Sequence, residues 1–268
     1  MVKVHQLLAG RDFALGDSSM DAMAAQMANY VYLVALDDDD DDEREFVVVD
    51  AAWDVEGILA FARKQGLTKP KGAVFTHRHL DHTGGTVRLA RQSVSVPGLA
   101  HFVNKGLCPV YVGKDDVEAT AQQTGVAADS IRALEEGMTL FGCMTVISTP
   151  GHTPGSVCFR VLDEYLISGD TLFIGACGRV DLQESDPDQM DKSLARLSRF
   201  PDALKVLPGH NYAPDASSTI ARERATNVMM RMALQASGAL RPSPTSAVET
   251  VRLPDYLGAA YAALREAQ

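Results

Sequence analysis

Residues 76–85 read THRHLDHTGG, which puts His77, His79, Asp81 and His82 within six positions. The apolar stretch GAVFT (72–76) that runs into them reads as a strand. His77 and His79 are two apart, so in extended chain both rings leave on the same side and can converge on one ion. Asp81 and His82 lie past the strand end, where a loop can turn them toward a second ion. Neutral imidazole and carboxylate suit Zn²⁺, Fe²⁺ or Mn²⁺. The chain has seven histidines in 268 residues, so three in six positions around an aspartate is a ligand pattern rather than scatter.

Three further residues occur in matching settings. His152 lies in TPGHTPG (149–155), Asp170 in SGDT (168–171) and His210 in PGHNY (208–212). Each follows a strand-like run and has Gly or Pro beside it. Glycine lets backbone approach a site closely, and tight turns set the direction of the side chain. Together with the first cluster they complete a two-metal set.

Around these motifs, Tyr30–Leu36 and Phe46–Asp50 read as strands, rich in β-branched and aromatic residues. Asp54–Gln65 has helical spacing, and a helix is expected over Thr83–Gln92. Pro109–Val112 reads as a strand, and Ala119–Glu136 as helical pieces broken at Gly125. Met144–Ser148, Ser156–Val161 and Tyr165–Ser168 read as successive strands. Gln189–Phe200 is an amphipathic helix, and Ala203–Leu207 a short strand. Ser217–Ala236 is a long helical candidate, and a last helix is expected near Tyr256–Glu266. No Gly/Ser linker divides the chain, so one domain with two sheets and outer helices fits best.

The formal charge is −10, but residues 37–45 hold eight acids and one base, so −7 of it sits in one segment. The unbroken run Asp37–Asp42 repels itself and reads as a solvated hairpin loop. The acidic balance disfavours a nucleic-acid binder. The four cysteines form no CxxC and read as reduced thiols. The N-terminal stretch has no continuous apolar core and no later stretch suits a spanning helix, so a cytoplasmic protein without a membrane partner is expected.

The ordered set HxHxDH, then His, then Asp, then His, resembles the metallo-β-lactamase superfamily. Within it, TPGHTPGS, SGDTLF and PGHNY look most like the glyoxalase II-like hydroxyacylglutathione hydrolases, over roughly Tyr30 to Tyr212. That resemblance implies an α/β fold, an αββα sandwich of two mixed sheets flanked by helices. Residues 1–236 are then the catalytic domain, and 237–268 a helical tail packed on it. It also implies two divalent ions, zinc first, with iron or manganese as alternatives. His77, His79 and His152 would hold one ion, and Asp81, His82 and His210 the other. Asp170 would bridge them. His5 and His101 fall outside every motif.

Two ions so held bring the pKa of water to about 7, so a bridging hydroxide oriented by Asp81 can attack an acyl carbon. A thiol pKa near about 8.5 makes thiolate a good leaving group, so thioester cleavage needs no protein acid. The resemblance points to a small-molecule thioester, S-(2-hydroxyacyl)glutathione first. Arg179 matches a basic position that holds glutathione in that family and could pair bidentately with a glycyl carboxylate. Tyr212 matches another glutathione-binding position, whereas Asp181 stands where the family has a tyrosine. The CGRVD stretch (177–181) is similar to the CGRxD segment of persulfide dioxygenases, which use one iron at positions equivalent to His77, His152 and Asp170. Glutathione persulfide oxidation is therefore the first alternative. A lactone or ester hydrolase and a non-catalytic metal-binding module follow.

Overall fold

A computed structural model describes residues 2–36, 44–89 and 92–238. The first half runs β1 (Lys3–Leu8), α1 (Ser19–Met27), β2 (Tyr30–Ala35), β3 (Arg44–Val49), α2 (Val55–Lys64), β4 (Leu67–Val74) and the single turn α3 (Leu80–Thr83). It continues through β5 (Gly85–Leu89), β6 (Gln92–Val96), α4 (Leu99–Asn104), β7 (Val110–Gly113), α5 (Val117–Thr124) and β8 (Ile131–Leu134). The second half runs β9 (Thr139–Leu140), β10 (Met144–Ser148), β11 (Val157–Val161), β12 (Tyr165–Gly169), α6 (Pro187–Leu197) and β13 (Lys205–Pro208). It ends with β14 (Ser218–Thr219), α7 (Ile220–Thr226) and α8 (Val228–Ala236).

All six residues of β2 are buried because both of its faces are covered. Val31, Leu33 and Ala35 join one core with α1 and α2, while Tyr30, Tyr32 and Val34 join another between the sheets. The same two-residue period sorts β3, with Phe46 and Val48 on the helix side and Val47 and Val49 on the sheet side. In β11, Val157, Phe159 and Val161 face the inter-sheet core, and Cys158 faces the third core under α6 and α8. α2 and α6 are capped by Asp54 and Asp186, whose side chains accept from Gly57 N and Gln189 N.

The first sheet has the order β1-β2-β3-β4-β7-β8, antiparallel from β1 to β3 and parallel from β3 to β8. The second has the order β14-β13-β12-β11-β10-β9, with only β12 and β13 parallel. Both sheets are mixed, stacked face to face with helices outside, so the expected αββα sandwich is what the chain forms. At one edge the sheets are joined directly: Tyr30 N donates to Gly209 O at 2.8 Å, and Val157 N donates to Thr76 O at 2.8 Å.

Three sequence expectations are corrected. The helix expected over Thr83–Gln92 is replaced, among the described residues, by a turn and a strand. One turn ends at Gly84 and Gly85, both at positive φ, and the chain enters the hairpin β5–β6. Ile131–Leu134 is a strand, because parallel pairing with β7 overrides its local helical preference. Ser217–Ala236 is the short strand β14 followed by two helices. Asn227 interrupts them and caps α8, its side chain accepting from Met230 N and donating to Phe173 O and Ala176 O. β1, α1 and α4 have no counterpart in the sequence reading. Glu45, at the end of the acidic segment, lies in β3 and pairs with Lys69 and Lys71 on β4. Asp37–Asp42 and the expected helix near Tyr256–Glu266 lie outside the described residues, as does the tail from residue 239. All four cysteines are unpaired. Among the described residues no helix is long and apolar enough to cross a membrane.

Phe159 is fully buried at the centre of the inter-sheet core. Phe159→Ala is expected to cost about 3–5 kcal/mol. This should be read as a lower urea midpoint at unchanged slope; an unshifted midpoint contradicts the layer assignment.

Candidate metal centre

The site lies at the joined edge, where strand ends from both sheets meet. His77 follows β4, His152 follows β10, Asp170 follows β12 and His210 follows β13. Asp81 and His82 ride on α3. Two glycines admit this crowding. Gly169 sits at φ +48°, and a Cβ there would meet Thr76 Oγ1 at 2.5 Å. A Cβ on Gly209 would lie 2.3 Å from Asp170 Oδ1.

Three overlapping donor sets result: His77–His79–His152, His77–His82–Asp170 and Asp81–His82–His210, each with its ligand atoms within 4.8 Å of one another. Every expected ligand is therefore in the cluster. His5 lies on β1, and His101 on α4 beside Glu56 at 3.2 Å.

Each ring in the cluster has one nitrogen held from outside. Thr76 Oγ1 donates to Asp50 Oδ2 at 2.8 Å and so accepts from His77 Nδ1 at 3.0 Å. His82 Nδ1 donates to Asp50 Oδ2 at 3.0 Å, His152 Nδ1 to Arg179 O at 2.8 Å, and His210 Nδ1 to Met27 O at 2.8 Å. These bonds leave Nε2 of all four rings pointing inward. His79 is the reverse: its Nε2 meets Glu184 Oε1 at 2.9 Å, so Nδ1 is its remaining donor. Outer bonds of this kind fix the tautomer and aim of a metal-binding imidazole.

Three of the inward atoms lack protein partners. His77 Nε2, His152 Nε2 and Asp170 Oδ1 are buried without a hydrogen bond. His82 Nε2 and His210 Nε2 are 3.2 Å apart, and the Asp81 and Asp170 carboxylates lie 3.3–3.5 Å from them. Facing lone pairs and anions call for a positive charge among them. Burial opposes charge on His82 and His210, but the surrounding Asp81 and Asp170 outweigh it and both pKa values are raised. Burial likewise raises the Asp170 carboxyl, yet His210 and His82 bring it down to about 2. His77 and His152 go the other way. Burial, reinforced by neighbouring histidines, holds His77 well below its ordinary value and His152 at about 4. This chemistry, orphaned inward nitrogens beside carboxylates, fits divalent cations.

Sequence reading passed over the groups that hold the ligands. Asp50 accepts from Thr76 N at 2.7 Å as well as from Thr76 Oγ1 and His82. Its signal was present, since an acid ending a buried apolar strand needs partners. Trp53 Nε1 donates to Asn29 Oδ1 at 3.0 Å, and Asn29 Nδ2 donates to Asp81 Oδ2 at 2.9 Å. Asp116 accepts from Arg78 N, Thr153 Oγ1 and Gly155 N, tying the His77–His79 turn to the His152 turn. Nothing local in sequence marks Asn29, Asp116 or Glu184. Of the substrate-binding expectations, Tyr212 stacks on His210 with centroids 4.6 Å apart and planes 9° off parallel. Arg179 makes a bidentate pair with Asp181, both contacts at 2.8 Å.

The family model of the metallo-beta-lactamase superfamily matches residues 26–210. The chain belongs to the metallo-beta-lactamase superfamily. Superfamily relatives include the hydroxyacylglutathione hydrolase of Salmonella typhi, 32% identical over 194 residues, a span that is 72% of this chain and 66% of the relative. The chain thus spans just under two thirds of the length of that relative. The solved structure of TTHA1623 in a di-iron-bound form is 30% identical with a TM-score of 0.59, covering 75% of this chain and 95% of that one. A metallo-beta-lactamase from Staphylococcus aureus has a TM-score of 0.64 at 21% identity, covering 97% of this chain and 70% of that one, and shares the fold. In this superfamily member the two sheets and the seven-residue cluster occur together.

Metal ligands must be deprotonated. His82 and His210 have raised pKa values, so uptake of a divalent metal is expected to release protons, and metal affinity to rise with pH. Calorimetric titration in buffers of different ionisation enthalpy measures the release; proton-neutral uptake contradicts the assignment of those two rings.

Proposed function

We propose that the protein is a metal-dependent hydrolase of thioesters, with S-(2-hydroxyacyl)glutathione as the leading substrate. His77, His79 and His152 would hold one divalent ion and Asp81, His82 and His210 a second, with Asp170 between them. Zinc is the first choice of metal, and iron or manganese the alternatives. The observation that carries this reading is the convergence of two donor triads on Asp170, with the inward atoms of His77, His152 and Asp170 buried and unbonded. Relatives named hydroxyacylglutathione hydrolase support the substrate class.

Ions held there supply Lewis-acid polarisation of an acyl oxygen and bring a water pKa to about 7. The remaining work falls to side chains. Asn29 fixes the rotation of the Asp81 carboxylate, which accepts a hydrogen bond from the attacking water and aims it at the acyl carbon. The departing thiolate, of parent pKa about 8.5, leaves without a protein acid. Arg179 would exchange Asp181 for the glycyl carboxylate of glutathione, and Tyr212 would add ring surface beside His210.

A second reading, oxidation of glutathione persulfide at a single iron held by His77, His152 and Asp170, draws on the CGRVD stretch at 177–181. Metal content separates the two. Two zinc-rich ions per chain with hydrolysis of a chromogenic thioester support the hydrolase. One iron with oxygen uptake on glutathione persulfide overturns it.

His79→Ala and Asp170→Ala are each expected to bring thioester turnover below detection; near-normal activity in either would show that the ligand set is wrong. Arg179→Ala is expected to raise KM for glutathione thioesters about tenfold or more, with a smaller loss in kcat. An unchanged KM would remove glutathione as the handle.

A further inference from the structure

The two donor triads are braced differently. His82 and His210 are fully enclosed and held by Asp50 and by the Met27 carbonyl. His79 is the one histidine of the cluster that is partly exposed, so packing alone confines its ring least. Its outer nitrogen meets Glu184 Oε1 at 2.9 Å. The same oxygen lies 3.2 Å from Arg78 Nη2. Arg78 is the residue between the two histidines of the motif, and its backbone is itself held. Its N–H donates to Asp116 Oδ2 at 3.1 Å, and its carbonyl accepts from Gln123 Nε2 at 2.9 Å.

Glu184 is fixed from its own side as well. Ser185 Oγ donates to His152 O at 2.8 Å, and Asp186 N donates to Gly151 O at 2.8 Å. The backbone on either side of the His152 ring is thus latched to the segment that carries Glu184. Upstream in the same segment, Arg179 O accepts from His152 Nδ1. One loop, residues 179–186, therefore holds two of the three histidines of one triad and none of the other triad's described contacts.

We propose that Glu184 is the positioning residue for His79, held in place by Arg78, and that it sets the metal affinity of the His77–His79–His152 half of the centre independently of the other half. The carboxylate keeps the His79 ring turned so that Nδ1 faces His77 and His152, and it pulls charge onto the imidazole through the N–H it accepts. An outer partner of this kind is worth about 10- to 100-fold in metal affinity. The inference rests on the proposed two-metal reading.

Zinc titration of the full chain against a chromogenic chelator tests it. Wild type is expected to bind two ions. In Glu184→Ala one dissociation constant should rise about 10- to 100-fold while the other stays put. Glu184→Gln, which keeps an acceptor for the ring N–H but not the charge, should fall between the two, and Arg78→Ala should follow Glu184→Ala in direction. Equal weakening of both ions, or two unchanged constants in Glu184→Ala, overturns the inference and leaves the metal reading intact. A wild-type chain that takes up no zinc overturns both. Melting temperatures within about a degree or two of wild type show that the variants fold.

Discussion

The whole centre answers to one electrostatic constraint. Ring nitrogens and carboxylate oxygens face one another at 3.2–3.5 Å, in a place that water does not screen. Such an arrangement is unfavourable without a positive charge in its middle. Protons on His82 and His210 can meet the need in the protein alone, and divalent ions meet it with the geometry the rings already have. Much of the surrounding structure is explained by the requirement to hold these groups inward against their mutual repulsion.

The sandwich meets that requirement by bringing strand ends from two sheets to a common edge. Backbone bonds from Tyr30 to Gly209 and from Val157 to Thr76 close the edge, and Asp50 ties the turn after β4 to the ring of His82. Asp116 does the same between the His77–His79 turn and the His152 turn. These are buried carboxylates with several donors each, where a missing partner costs more than the bond gains when made. The chain entering β2 abuts the His210 turn from the first sheet, through the Asn29–His210 bridge and the bond from Tyr30 N to Gly209 O.

The donor cluster was legible because its members sit in short, unusual strings. THRHLDH, PGH and SGD each announce a donor at a strand exit, and each strand is an apolar run that periodicity or β-branching identifies. Sequence reading failed where local preference and tertiary pairing differ. Gly85–Leu89 and Gln92–Val96 pair as strands because Gly84 and Gly85 turn the chain away from a helix. Ile131–Leu134 is extended only because β7 lies beside it. Asn227 splits a helical stretch because its side chain serves both the α8 cap and the carbonyls of Phe173 and Ala176.

What the sequence determined by itself was the chemistry: which side chains supply nitrogen and oxygen donors, and that each stands at the end of a strand. Residue type and spacing of two or three positions carry that information without any fold. What only the tertiary structure decided was how each donor is aimed. Glu184 turns His79 opposite to the other four rings from 105 residues away, and Met27 O holds His210 across 183 residues. Hydrogen bonds between segments that distant are created by the packing of two sheets, and no local string encodes them.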